Sequence, residues 1–111
     1  MIEPKFKVGY YNITVTKDQP WTANPKTYTK SVKGQMTANF AVNYRTKDRR
    51  YYTVTHLPTG YRIHQFGYFQ HAKTFIKLAE AIPEIGTMNL DNSRSFAPRL
   101  KKLIHQVITN K

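Results

Sequence analysis

Cysteine is missing from this chain, which removes a disulfide framework, a zinc–thiolate site and a cysteine nucleophile, and suits a reducing compartment. Carboxylates are scarce: Glu3, Asp18, Asp48, Glu80, Glu84 and Asp91 are scattered over termini, turns and helix surface. A two-metal nuclease needs such groups to converge. Glu80 and Glu84 stand one helical turn apart, but Pro83 breaks a helix between them. The histidines, His56, His64, His71 and His105, show no His-x-x-x-His spacing, so no metal site is expected. A Gly-x-Ser-x-Gly elbow and a glycine-rich phosphate loop are both lacking, and with them the motifs of a serine hydrolase and a nucleotide hydrolase. No cofactor is expected. No apolar run approaches the ~20 residues of a membrane span. The start, Met1-Ile2-Glu3-Pro4-Lys5, has no signal-peptide core, so the expectation is a cytoplasmic protein with no membrane partner.

What the chain has in excess is positive charge. Eighteen Lys and Arg face six acids, a formal +12 with a pI near 10.1. That imbalance costs self-repulsion in the folded state and is usually retained where a polyanion neutralises it. Nucleic acid is therefore the expected partner, DNA ahead of RNA. At 111 residues the chain suits a single basic domain, 1–111, burying roughly 65% of its unfolded surface. Its 40% hydrophobic and 14% aromatic content argues against disorder.

The organising stretch is 36–82. Met36, Ala38, Phe40, Val42 and Tyr44 alternate with Thr37, Asn39, Ala41, Asn43 and Arg45, the period-two pattern of one half-buried strand. Tyr52 and Val54, then Tyr61 and Ile63, continue the apolar face on two further strands, opposite Thr53, Thr55, Arg62 and His64. Leu57-Pro58-Thr59-Gly60 reverses the chain between them. Ala72, Phe75, Ile76, Ala79 and Ile82 recur at helical spacing, with Lys73, Thr74, Lys77 and Glu80 pointing away; a helix is expected over about 69–82, without a strong N-cap residue.

Before this stretch, 6–17 reads as a strand whose alternation changes phase at Gly9, as a glycine bulge would cause. Asp18 to Pro25 is a connector whose Trp21 either plugs the core or stacks on a ligand, and 27–33 reads as a short edge strand. After Pro83 a loop is expected over 83–94, then a helix over about 95–109 capped by Ser95, with Pro98 in its first turn. The helix's stripe from Phe96 to Ile108 packs on the first helix or forms a homodimer face over 96–108. The fold expected is α+β: an antiparallel sheet of four or five strands (6–66) with one face covered by two C-terminal helices.

The other sheet face carries the candidate site. Arg45-Thr46-Lys47-Asp48-Arg49-Arg50 puts four cations and one acid on a hairpin tip. Arg and Asn make the bidentate pairs that read guanine and adenine edges. The nucleic-acid-binding set is thus Asn39, Asn43, Arg45, Lys47, Arg49, Arg50, Tyr51, Thr53, Arg62 and His64. A single-strand binder would use exposed rings, and Tyr10, Tyr51 and Phe66 share that face by strand parity. The competing enzyme reading is a metal-free ribonuclease using His64, His56, Arg62 and Tyr51 as acid, base and phosphorane stabilisers.

Three strands, a basic turn, and Phe66-Gly67-Tyr68-Phe69 leading into Ala72-Lys73-Thr74-Phe75 resemble the sheet-plus-helix DNA-binding fold of AP2-type domains and of some integrase amino-terminal domains, over about 37–82. The resemblance implies a sheet lying in the major groove, with Arg45, Arg50, Thr53 and Arg62 as contacts. The compact basic chain is also similar in style to small phage and mobile-element proteins, some of which inhibit host nucleoprotein defence complexes in an anti-CRISPR-like way. That likeness implies a non-enzymatic inhibitor with such a complex as partner.

Overall fold

In the computed structural model the described residues are 4–17, 26–47 and 50–109. Trp21 with its connector, and the hairpin's Asp48 and Arg49, lie outside them. Five strands form one antiparallel sheet in chain order: β1 (Lys7–Lys17), β2 (Lys26–Met36), β3 (Phe40–Asn43), β4 (Tyr52–His56) and β5 (Arg62–Phe66). Helix α1 (Phe69–Glu80), a short 3₁₀ turn (Ile85–Thr87) and helix α2 (Ser93–Thr109) follow.

The main core lies between the sheet and the helices. Phe40, Val42, Val54 and Phe66 from β3, β4 and β5 meet Ala72, Phe75, Ile76 and Ala79 of α1, the helical stripe expected from the sequence. Helix α2 packs on α1 and adds Phe96, Leu100 and Val107 to the same cluster. The segment 83–92 is more than a loop, because Ile85 and Met88 on either side of the 3₁₀ turn are also buried there. As the sequence suggested, α1 starts without a side-chain cap, on an extended Tyr68. Helix α2 begins at Ser93, two residues before Ser95, so Pro98 falls in its second turn. The Pro98 ring denies a hydrogen bond to the carbonyl of Arg94, an exposed residue. Among the described residues no helix is long and apolar enough to cross a membrane.

A second, smaller cluster fills the opposite sheet face. Tyr11, Val32 and Ala41 are buried there, with Ile13, Met36 and Leu57 against them. The long β1–β2 ribbon folds over this face, and its edge reaches the turn between β4 and β5. Thr14 N donates to Gly60 O at 2.7 Å, and Thr14 Oγ1 to Thr59 O at 3.0 Å. The sheet is thus curled into a half-barrel. Gly60 is the positive-φ residue of that turn (φ 73°), as Pro-x-Gly foretold. Gly34 permits the curl: a Cβ on it would lie 2.0 Å from the Val42 carbonyl oxygen, so only glycine lets β2 run this close to β3.

The half-barrel corrects four sequence expectations. β1 pairs with β2 without interruption through Gly9, opposite Gly34. The two apolar phases, Phe6 on the helix side and Tyr11 with Ile13 on the other, serve two cores and involve no bulge. The expected short edge strand at 27–33 is an eleven-residue strand between two partners. The single strand from Met36 to Arg45 is the end of β2 and all of β3, joined by a tight turn in which Thr37 N donates to Phe40 O at 2.8 Å. Met36 then sits opposite Ala41 on the second face, while Ala38 is exposed at the tip. Finally, a register shift between Val54 and Thr55 places Thr55 opposite Arg62 but Val54 opposite His64, so strand parity inverts within β5.

Candidate nucleic-acid interface

Several of the expected contact residues have structural work. Asn43, at the end of β3, is 1% exposed. Its Nδ2 donates to the carbonyls of Tyr44 (3.0 Å) and Tyr51 (3.1 Å), and its Oδ1 accepts from Thr53 N at 2.8 Å. The side chain therefore pins both ends of the 44–51 loop, and no amide edge is left for a base. Thr53 is buried beside it. Asn39 is held by Glu80, which was expected to point into solvent. The Glu80 carboxylate accepts from Thr37 Oγ1 (2.5 Å), Asn39 N (2.9 Å) and Asn39 Nδ2 (2.7 Å). The last turn of α1 is thereby clasped to the β2–β3 turn.

The inverted parity of β5 moves two further residues. His64 lies on the helix side with its ring edge-on to Phe66 at 4.7 Å, and Phe66 is buried in the main core. Burial lowers the His64 pKa, and the adjacent Arg62 lowers it further. His56 is 1% exposed, with Nδ1 2.9 Å from Thr59 Oγ1 and Nε2 enclosed without a partner. Burial also lowers the His56 pKa, opposed by the charge of Glu80. A ribonuclease acid–base pair must reach a phosphodiester, and the enclosed His56 ring does not. Among the described residues no three His, Asp or Glu gather as metal ligands would.

Arg45, Lys47, Arg50, Tyr51 and Arg62 are exposed. Arg62 points to the second sheet face, opposite Thr55 near the end of β4 that lies away from the 44–51 loop. The loop residues instead join a surface that strand parity did not reveal. Tyr10 pairs with Lys33 across β1 and β2, and Tyr44 N donates to Lys33 O at 3.1 Å, so Tyr10, Lys33 and Tyr44 form one row. Extending the β3–β4 register, in which Val42 faces Val54, brings Tyr52 next in that row, and Tyr52 in turn faces Phe66. The row passes from buried Phe66 through half-buried Tyr52 and Tyr44 to exposed Lys33 and Tyr10.

Helix α1 contributes Phe69, stacked on Tyr44 (6.0 Å between centroids, 25° between planes) and edge-on to Tyr52 at 5.1 Å. Gln35 Nε2 donates to Tyr44 Oη at 3.2 Å and fixes that ring. The cations stand on the rings. Arg45 lies 5.8 Å from the Tyr52 centroid, and Lys73 Nζ lies 4.7 Å from Phe6 and 5.6 Å from Phe69. A ring face orients a cation without cancelling its charge, so these positive charges remain available to an anion. The described carboxylates, Glu80, Glu84 and Asp91, lie elsewhere, and the first turn of α1 has none. Past Phe69 the surface opens into a groove of about 750 Å³ with Tyr68, His71 and Ile108 among its walls. The sequence hint of this surface is Tyr10, read there as an exposed ring of the first strand.

No family model matches the chain, and neither the curated proteins nor the solved structures include a match.

Proposed function

We propose that this chain binds nucleic acid without turning it over, through the 44–51 loop and the adjoining row of rings and cations. The observation that carries the proposal is the placement of Lys33, Arg45 and Lys73: all three border one aromatic surface, and the latter two are held on ring faces. A +12 chain with its charge so arranged suits a polyanion. The base-edge readers expected at Asn39, Asn43 and Thr53 are occupied within the fold, so affinity rests on phosphate charge and ring contact rather than on amide pairing in a major groove.

The test is binding across a salt series. Log K should fall with log salt by roughly 0.9 per phosphate neutralised on a duplex, or 0.7 on a single strand. Replacing Arg45, Lys47 and Arg50 together by Ala should shallow that slope by up to about three contacts with little loss of stability, because the three are exposed. The same treatment of Arg99, Lys101 and Lys102 on α2 should do less. A flat salt response of the parent protein would end the proposal. So would a helix triple that abolishes binding while the loop triple binds as the parent does.

A further inference from the structure

We infer that the nucleic acid bound here is single-stranded, with bases stacked on the row of rings that starts at Tyr10 and phosphates held by Lys33, Arg45 and Lys73. This rests on the nucleic-acid proposal above and specifies its ligand. A duplex buries the faces of its bases, so an exposed aromatic side chain gains little from it, whereas an unpaired base stacks on any ring. Tyr10 is 70% exposed and its neighbour on the same face, Val8, 61%. The sheet presents them uncovered, because α1 lies over β3, β4 and β5.

The spacing also fits. Neighbouring strands lie about 4.8 Å apart, which sets Tyr10 and Tyr44 about 10 Å apart with the Lys33 position between them. Ring, ammonium, ring is the order that base, phosphate, base requires of an extended strand. Beyond Tyr44 the path continues over Phe69, which stacks on Tyr44 and also lines the groove that holds Tyr68 and His71. Those two rings meet edge to face at 5.2 Å and offer a second stacking place at the far end. β1, β2 and the first turn of α1 carry no carboxylate to repel the backbone.

The experiment measures binding of fluorescent oligothymidylate and oligouridylate of about 15 nucleotides, and of a duplex of equal length, at one fixed salt concentration. The proteins are the parent, Tyr10→Ala and Tyr10→Phe. The parent should prefer the single strands. Tyr10→Ala should weaken single-strand binding by about five- to a hundredfold, the range for loss of one stacked base, and leave duplex binding unchanged. Tyr10→Phe keeps the ring and should bind as the parent does, which separates stacking from any disturbance of β1. A difference between the two single strands reports a preference for the sugar or for the thymine methyl and upholds the inference. Parent preference for the duplex, or a Tyr10→Ala protein that binds single strands at parental strength, overturns it while leaving the nucleic-acid proposal standing. Absence of binding to all three probes removes both.

Discussion

Replacing Glu80 by Ala should destabilise the protein by about 2–3 kcal/mol, and the reason lies in one carboxylate. Its two oxygens accept hydrogen bonds from Thr37 Oγ1, Asn39 N and Asn39 Nδ2, and tie the end of α1 to the turn between β2 and β3. Hydrogen bonds to a charged group are each worth about 1.5–3 kcal/mol. The site is half-buried, so water recovers part of what the freed donors lose, and the whole loss falls near the value of one or two such bonds rather than three. With about 2.1 cal/mol/K of unfolding entropy per residue, a chain of 111 residues should melt about 8–13 °C lower. Glu80→Gln keeps the shape and one acceptor oxygen, and should lose about half as much. Urea denaturation measures the effect, with an unchanged m-value showing that the folded state is otherwise intact. A double-mutant cycle with Asn39→Ala should show coupling of about 1–2 kcal/mol. Because the clasp lies at the opposite end of β3 from the 44–51 loop, nucleic-acid binding should be unaffected. A Glu80→Ala protein within about 0.5 kcal/mol of the parent would refute the reasoning.

Two further outcomes are expected. Asn43→Ala strands Thr53 N in a buried site and frees the carbonyls of Tyr44 and Tyr51; it should cost about 2–4 kcal/mol in urea melts and speed amide exchange at Tyr44, Arg45, Tyr51 and Thr53, and exchange at the parental rate would count against the pinning role. The pKa values of His56 and His64 are both lowered in the folded protein, so the unfolded chain binds more protons than the folded one below its ordinary histidine pKa of about 6.5. Stability should therefore be level above about pH 7 and decline as pH falls through about 6.5, by at most about 1.4 kcal/mol per pH unit for each histidine; urea midpoints unchanged from about pH 7 to pH 5 would contradict it.

The helices and the Pro58–Gly60 reversal were legible in the sequence because local chemistry specifies them. A helix buries one stripe, and Ala72, Phe75, Ile76 and Ala79 display it whatever surrounds them. Strand faces depend instead on how many residues each turn consumes, and one unrecognised residue flips everything after it. The turn at Ala38 and Asn39 carries no glycine or proline to betray it, so the alternation from Met36 to Tyr44 reads through a hairpin as though it were one strand. The irregularity between Val54 and Thr55 did the same to His64 and Phe66.

Non-local pairing accounts for the remaining differences. Nothing near Glu80 in sequence announces Asn39, forty-one positions away. Nor does β1 announce that it will fold back onto Gly60 and bury Tyr11 while leaving Tyr10 outside. The cations of the 44–51 loop were visible as a cluster, since charge in a turn has nowhere to hide. The rings beside them were not visible as a group, because Phe6 and Tyr10 of the first strand, Tyr44, Tyr52 and Phe69 come from four separate segments that only the tertiary structure brings together.

The central claim is that this aromatic and basic surface is where nucleic acid binds, and backbone amide shifts of the isotopically labelled protein, titrated with oligothymidylate, test it most directly. The largest shifts should fall on Tyr10, Lys33, Tyr44, Arg45, Phe69 and Lys73, and fade across α2. Shifts confined to α2 or to the Arg62 face, with the Tyr10 row silent, would contradict it.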